Sequence, residues 1–216
     1  MNKKNSIKHK IVTSKYFELS GLLLLIILYS CIVQTKSGNF LTIGNIHNVL
    51  KEIVVYGILS CALAFPLING TFDLSIESIA ALGGTCCGLL VKDGLYGLKT
   101  NLPAAILISV IICCVVGAVN GLLVAFTSID PFIVTLGSQV AVRGLVYIVG
   151  NNTAVTGLPD SFKALSNKPI LGVSMSIWIM ILVFVLMAIV LGKTSYGRKI
   201  YAIGGNSMLF FFWKKC

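Results

Sequence analysis

Charged side chains are scarce in this chain. Asp, Glu, Lys and Arg make up 11% of its 216 residues, and only seven of these are acidic. A soluble domain carries about 25% charged residues. Hydrophobic residues make up 56% of the chain, which is more apolar surface than one water-soluble core of this size can hide. The shortage of charge excludes a soluble domain and indicates one polytopic membrane domain.

Motifs that carry chemistry are missing as well. The sequence has no Walker phosphate-binding loop, no GxSxG and no HExxH, so it predicts neither ATP hydrolysis nor bond cleavage. The seven cysteines include no CxxC pair, and the two histidines belong to no cluster with zinc spacing. No basic patch is interleaved with aromatics, which argues against nucleic-acid binding. We expect no enzyme activity, no metal, no cofactor and no disulfide framework.

Long apolar blocks dominate the chain. There are six, and most approach the roughly 20 residues that a helix needs to cross the hydrocarbon. Strands of a membrane barrel would instead alternate over about ten residues. We therefore predict an all-α polytopic membrane bundle with about six transmembrane helices. The blocks are Tyr16–Val33, Ile53–Ile68, Ile76–Val91, Leu102–Phe126, Pro131–Val149 and Val173–Leu191.

Lysine and arginine predict the orientation. The basic tail of residues 1–15 and the residues after the sixth block hold ten of these cations, whereas the segments on the opposite side hold six. Because cytoplasmic segments carry the excess of positive charge, we predict that both termini are cytoplasmic. The loops Lys36–Lys51 and Asn151–Gly172 would then lie outside. The net charge of +10 reflects membrane topology in this interpretation.

The stretch NGTFDLSIES, residues 69–78, places polar side chains between two apolar blocks. Asn69 and the following glycine end one block, and Asp73 or Ser75 can cap the next helix. Glu77 would then lie in the first turn of that helix, where the helix dipole favours an anion. Two interpretations stay open. One is a capped turn at the membrane surface, and the other is a broken helix of the kind that binds polar substrates in transporters.

Small residues recur every four positions in the third and fourth blocks, a spacing typical of close helix packing. Asn120 lies in the same block next to the second of these stripes, and a buried amide in hydrocarbon needs either another helix or a polar substrate as its partner. The stripes are Ala80, Gly84 and Gly88, and Cys113, Gly117, Gly121 and Ala125.

Three stretches occur in order along the chain: NGTFDLSIESIAALGG from residue 69, DPFIVTLGSQVAVRGLVYIV over 130–149, and TSYGRKIYAIGGN over 194–206. They resemble the GGIDLSVGS, PFIVTLG…RG and T.FGR.IYAIGGN segments of permease subunits in ribose/xylose/galactose-type bacterial ABC importers. The resemblance covers about residues 37–206. The chain departs from the family pattern at Thr71 and Phe72, and at Glu77, which adds a charge.

The resemblance implies a translocation subunit in the bacterial cytoplasmic membrane, importing ribose or a related pentose or hexose. It implies three partners: a separate ABC ATPase subunit that hydrolyses ATP, an extracytoplasmic sugar-binding protein, and a second permease copy. Arg143, alone inside a span, should pair with Asp73 or Asp130. We expect a substrate pathway of Asp73, Ser75, Glu77, Asn120, Thr135, Gln139 and Arg143, and an ATPase-coupling region with Gly197, Arg198, Gly204, Gly205 and Asn206.

The family pattern stops matching after residue 206. Family members continue with a cytoplasmic segment that docks on the ATPase and with further spans, whereas here SMLFFFWKKC follows. We therefore expect a transmembrane domain over 16–192 that is incomplete relative to the family, the start of the coupling region over 193–206, and a non-family tail over 207–216. We expect a truncated copy that neither recruits the ATPase nor imports sugar on its own.

Other functions remain open at this point. The chain could be a nucleoside or branched-chain amino-acid ABC permease, which the ligand of its binding protein would reveal. It could be a secondary transporter, for which Asp73 and Glu77 are the only candidate carboxylates, and its transport would persist without an ATPase. It could also be a membrane scaffold that transports nothing.

Overall fold

The computed structural model describes residues 15–205, so the expectations for the basic tail up to residue 14, for Asn206 and for residues 207–216 lie outside it. Within this range the fold is helical, with one short hairpin. The elements are α1 Lys15–Ser37, α2 Ile43–Ile68, α3 Ile76–Lys92, α4 Leu102–Phe126, α5 Pro131–Val149, α6 Asp160–Asn167, β1 Pro169–Ile170, β2 Val173–Ser174, α7 Met175–Lys193 and α8 Ser195–Gly205.

Five helices in the described range are long and apolar enough to cross a membrane: α1 from Leu19, α2, α4, α5 and α7. The third block also forms a helix, but α3 has 17 residues and is about 25 Å long, which is less than the roughly 30 Å hydrocarbon core. The all-α membrane architecture is confirmed. The sixth block differs at its start, where Val173–Ser174 is a strand and the helix begins at Met175.

The chain divides into two units, Met1–Glu52 and Ile53–Cys216. In the first, a short turn joins α1 to α2. Gln34 holds this turn, because its amide donates to the Gly38 carbonyl at 2.9 Å and its carbonyl oxygen accepts from the Leu41 N–H at 2.8 Å. The predicted extent of the loop, Lys36–Lys51, is therefore wrong, because only residues 38–42 lie between the two helices. Hydropathy marked only the apolar half of α2, whereas its first ten residues are helical and more polar.

The helices α3, α4 and α5 form the packed centre of the second unit. Contacts at both ends of α3 show that α4 runs antiparallel to it: Asn120 meets Ser75 near the start of α3, and Ala105 packs with Leu90 near its end. The helix α5 also packs against α3, where Val142 joins Leu82 and Cys86 in a second apolar cluster. Of these three helices, the shortest, α3, is thus the most buried.

The two ends of the second unit differ in what they gather. One end, which we call the α8 end, brings together residues 66–73, 124–131 and 195–205. The other, the α6 end, comprises residues 92–102 and 150–174, where α6 packs against the cluster around Ala105. The antiparallel order of helices therefore sorts the connecting segments into two groups, as the predicted topology requires for this unit.

Candidate functional site

The stretch between α2 and α3 leaves helical geometry at a proline and a glycine. Pro66 lies in the last turn of α2, and its carbonyl accepts the Thr71 N–H at 2.9 Å. Gly70 adopts a φ of 77°, a left-handed conformation that glycine accepts at no steric cost. The chain then turns across the end of α2 and enters α3 at Ile76, with Glu77 in the first turn as predicted.

A chain of hydrogen bonds links this stretch to α4. The N–H and the hydroxyl of Ser75 both donate to Oδ1 of Asp73, at 2.8 and 2.6 Å. Nδ2 of Asn120 in turn donates to the Ser75 hydroxyl oxygen at 3.0 Å. Ser75 is fully buried and Asn120 is 8% exposed, so their mutual bonds offset the cost of burying two polar groups. Three of the predicted site residues therefore form one network.

Thr135 ties α5 to the same stretch. Its hydroxyl lies 3.3 Å from the Phe72 carbonyl and 3.3 Å from the Phe132 carbonyl of its own helix. Thr135 lies four residues into α5, so this contact is about 6 Å inside the start of the helix. The non-helical stretch is therefore packed alongside the first turns of α5.

Asp73, Asn120 and Thr135 line a cavity of about 560 Å³ at the α8 end. Its wall combines polar groups with aromatic and small residues, and the buried side-chain oxygen Oδ1 of Asn69 has no hydrogen-bond partner in the described residues. The lining residues are Pro66, Asn69, Thr71, Phe72, Asp73, Gly117, Asn120, Gly121, Val124, Ala125, Phe126, Pro131, Thr135 and Ile203.

The small residues do not all serve helix packing. A Cβ added at Gly117 or Gly121 would meet nothing within 4 Å, since both glycines face the cavity. Close approach between α3 and α4 occurs instead at Gly83, where a Cβ would lie 2.6 Å from the Cys113 sulfur. The regular stripe on α4 thus leaves space in the cavity wall.

Arg143 pairs with Glu77, and the predicted pairing with Asp73 or Asp130 is wrong. Its Nη2 donates to Oε1 of Glu77 at 2.5 Å. Asp73 is already engaged by Ser75, and Asp130 caps α5 by accepting the Phe132 N–H at 2.8 Å. The ion pair bridges α3 and α5 outside the cavity.

Gln139 is half-buried and does not line the cavity. It lies one turn from Thr135 and one turn from Arg143, so the three share a face of α5. The predicted pathway residues therefore separate into two groups. Asp73, Ser75, Asn120 and Thr135 surround or support the cavity, whereas Glu77 of α3 and Arg143 of α5 form an ion pair outside it.

The helix α8 closes one side of the cavity. Ile203 lines it, and Ile200 is buried. A Cβ on Gly204 would overlap the carbonyl oxygen of Ile68, the last residue of α2, whereas one on Gly205 would meet nothing within 4 Å. The predicted coupling region thus contacts the end of α2 through Gly204.

The turn between α7 and α8 also depends on a glycine. A Cβ on Gly197 would overlap the carbonyl oxygen of Leu191, so this turn needs the missing side chain. Arg198 is exposed, and its guanidinium donates to the Ser195 hydroxyl at 2.9 Å.

In the part of the chain that the structure describes, no group of three or more His, Cys, Asp or Glu residues could hold a metal ion.

Sequence reasoning missed several residues of the cavity. Asn69, Phe72 and Ile203 line it. In the sequence, Asn69 was noted as a polar residue at the end of a block, but none of the three was assigned to the site. Their position follows from the turn at Gly70 and the docking of α8, which are tertiary features. The available signal was that all three fall within the three family-like stretches.

Comparison with known proteins supplies the family. The profile described as "Branched-chain amino acid transport system / permease component" matches residues 45–211. The ribose import permease of Escherichia coli K12 is 33% identical over 193 residues, which cover 88% of this chain and 58% of that protein. No solved structure was found to match the chain.

Two further relatives agree. The L-arabinose ABC transporter permease of Azospirillum brasilense is 32% identical over 187 residues, covering 87% of this chain and 54% of the relative. The ribose import permease of Bacillus subtilis 168 is 32% identical over 197 residues, covering 90% and 58%. The chain thus spans less than two thirds of the length of these relatives.

Proposed function

This chain belongs to the ABC-importer permease family that contains these sugar permeases, and we propose that it is a translocation subunit for a monosaccharide, ribose or a related pentose or hexose. Members of the family are multi-pass proteins of the bacterial inner membrane, which agrees with the five long apolar helices found within residues 15–205. The family function is that of a transport permease.

One observation carries the proposal. The three stretches that resemble sugar permeases are far apart in sequence, yet they converge on the cavity at the α8 end. Asp73 comes from the first stretch, Thr135 from the second and Ile203 from the third. Family-like segments that meet around one space support a shared role for that space, which we take to be part of the sugar pathway.

The cavity wall suits a sugar. Asn120 and Thr135 can exchange hydrogen bonds with hydroxyl groups, and Phe72 and Phe126 offer apolar faces to a sugar ring. Ser75 holds Asp73 through Oδ1, so the other carboxylate oxygen, Oδ2, can accept a hydrogen bond from a sugar hydroxyl without moving. A small number of polar contacts keeps binding weak, and a pathway must also release its substrate.

We place Glu77, Gln139 and Arg143 further along the same pathway, on the exposed flank of α3 and α5. We assign α8, with Gly197, Arg198, Gly204 and Gly205, to the region that responds to the ATPase. Its contact with the end of α2 and with the cavity would let a displacement of α8 reach the pathway. The α8 end is then the cytoplasmic one.

The partners follow from this role. A separate ABC ATPase would hydrolyse ATP, an extracytoplasmic binding protein would deliver the sugar, and a second permease copy would complete the pathway. ATP-driven switching requires that these partners favour different states of the permease. A branched-chain amino acid is the second candidate substrate, because the family profile carries that description.

A chimera tests the proposal. Residues 45–205 of this chain replace the matching residues of the E. coli K12 ribose permease, in a strain that lacks its own permease and keeps the cognate ATPase and binding protein. We expect uptake of labelled ribose above the empty vector. Asn120→Leu should lower this uptake, and Gly137→Ala, whose added Cβ meets nothing within 4 Å, should not.

The controls separate folding from function. Membrane levels are measured for every variant with a terminal tag. A chimera that reaches the membrane at the parental level but imports no ribose would contradict a sugar pathway in these residues. Leucine uptake by the equivalent chimera in a branched-chain amino-acid importer would then favour the second candidate. Ribose uptake that persists without the ATPase would favour secondary transport.

A further inference from the structure

A second cavity, of about 510 Å³, lies on the flank of the second unit between α3, α4 and α6. It is separate from the cavity at the α8 end, and its wall is almost entirely apolar. We call it the flank groove. Its wall includes Ala80 and Gly84 on α3, Val110 and Cys114 on α4, and Phe162 and Leu165 on α6.

The groove exists because two neighbouring glycines face different surroundings. At Gly83 the backbone of α3 approaches α4, since a Cβ there would lie 2.6 Å from the Cys113 sulfur. At Gly84 a Cβ would meet nothing within 4 Å, although α3 is otherwise the most buried helix. The tight packing at Gly83 beside the open space at Gly84 leaves the flank groove along α3.

The length of the groove restricts what can fill it. It extends from Ala80 to Cys87 along α3, which is about 10 Å of helix. The hydrocarbon core is about 30 Å thick, so the groove covers less than one leaflet. A transmembrane helix of another protein would be longer than the groove and would extend past both of its ends. At one end it would meet α6, whose Phe162 and Leu165 line the groove. An acyl chain from one leaflet matches the groove's depth.

The charge beside the groove adds a preference for the headgroup. Phe162 and Leu165 turn one side of α6 into the groove, while Lys163 on the same helix is exposed. The segments 92–101 and 150–172 at this end carry four lysines against two aspartates. Asp160 pairs with Lys163 at 3.3 Å. Lys168 has no ion-pair partner in the described part of the chain.

We propose that the flank groove binds one acyl chain of an anionic phospholipid, whose phosphate lies beside α6 near Lys163 and Lys168. A short helix that presents apolar side chains to an acyl chain and cations near its headgroup is an arrangement that attracts anionic lipid. This proposal does not depend on which substrate the permease carries.

Native mass spectrometry of the full chain tests the proposal. The purified protein in detergent is mixed with phosphatidylglycerol or phosphatidylcholine, and bound lipid is counted. We expect at least fivefold more bound phosphatidylglycerol than phosphatidylcholine. Gly84→Leu should lower bound phosphatidylglycerol at least fivefold, because the leucine side chain fills the groove. Gly137→Leu is the matched control, since Gly137 also has open space but lines neither cavity.

Two further measurements test the headgroup site and the acyl-chain site separately. Replacing Lys163 and Lys168 with Gln should bring phosphatidylglycerol down to the phosphatidylcholine level. In the unmodified chain, phosphatidylglycerol should slow alkylation of Cys114 at least threefold, read peptide by peptide, which requires no variant to fold. Equal lipid binding by Gly84→Leu and the control would overturn the proposal. So would a dimer mass that Gly84→Leu alone abolishes, because a second copy would then cover the groove.

Discussion

The coupling energy between Glu77 and Arg143 should reveal whether this ion pair between α3 and α5 faces lipid or water. Arg143 lies twelve residues after Pro131, about 18 Å along α5, a distance that falls within the roughly 30 Å hydrocarbon core. Its side chain is 35% exposed and that of Glu77 is 65% exposed. Both charges therefore face something outside the described helices, and the energy of the pair depends on whether that is lipid or water.

The two surroundings predict different magnitudes. A lone Arg or Asp facing lipid at mid-helix costs about 2.5–3.5 kcal/mol on insertion scales, so breaking the pair there would be severe. An ion pair facing water is worth about 0–1 kcal/mol. Because we place Glu77 and Arg143 on a water-filled pathway, we predict a coupling energy below about 1 kcal/mol.

A double-mutant cycle of Glu77→Gln and Arg143→Gln gives the coupling energy, with unfolding followed in mixed detergent and denaturing micelles. The second reading is reaction of Arg143→Cys with a charged thiol reagent in a background free of other cysteines. We predict weak coupling and rapid reaction. Coupling near 3 kcal/mol together with no reaction would refute the reasoning and place the pair against lipid or protein.

The other predictions concern the cavity, α8 and the topology. Gly204→Ala should loosen α8, because its Cβ would overlap the Ile68 carbonyl, and proteolysis after Arg or Lys in α8 should speed up several-fold relative to Gly205→Ala. Asn120→Leu should cost about 0.6 kcal/mol and at most about 1.7 kcal/mol of stability, as for other hydrogen bonds within membranes, measured by the same unfolding assay. A cysteine at Lys163 should react with impermeant reagents added outside intact cells; reaction only with permeant reagents would reverse the predicted orientation.

Helix positions were predictable where a block of apolar residues coincides with capping residues. The helices α4 and α5 begin and end where their blocks do. Asn101 caps α4 by accepting the Ala104 N–H at 3.1 Å, and Asp130 caps α5 in the same way. A proline in the first turn of each reinforces the start. Local chemistry decided these boundaries, so sequence alone was sufficient.

Features that depend on packing were not predictable. The start of α2 was missed because its first ten residues are polar enough to resemble a loop, although a helix can extend beyond the hydrocarbon. The partner of Arg143 depends on how α3 and α5 are placed side by side, and the sequence favoured Asp73 or Asp130 over Glu77, the residue that the structure pairs with it. Nothing in the spacing of Gly117 and Gly121 distinguishes a packed face from a cavity wall.

The candidate site was predicted as a set of residues and not as a space. Asp73, Ser75 and Asn120 were each singled out by polarity, and the structure joins them by hydrogen bonds. Their convergence with Ile203 needed the fold, since 130 residues of chain separate it from Asp73. Resemblance to a family gave the segments, and the antiparallel order of helices brought them together.

Access to one glycine position tests most directly whether the cavity at the α8 end belongs to the sugar pathway. In the ribose-permease chimera, made free of other cysteines, Gly121→Cys places a thiol in the cavity without a clash, and Gly137→Cys places one in open space elsewhere. We predict that a small charged thiol reagent blocks ribose uptake through Gly121→Cys, that ribose slows this reaction, and that Gly137→Cys transports normally after labelling. Full labelling of Gly121→Cys with unchanged ribose uptake would contradict the account.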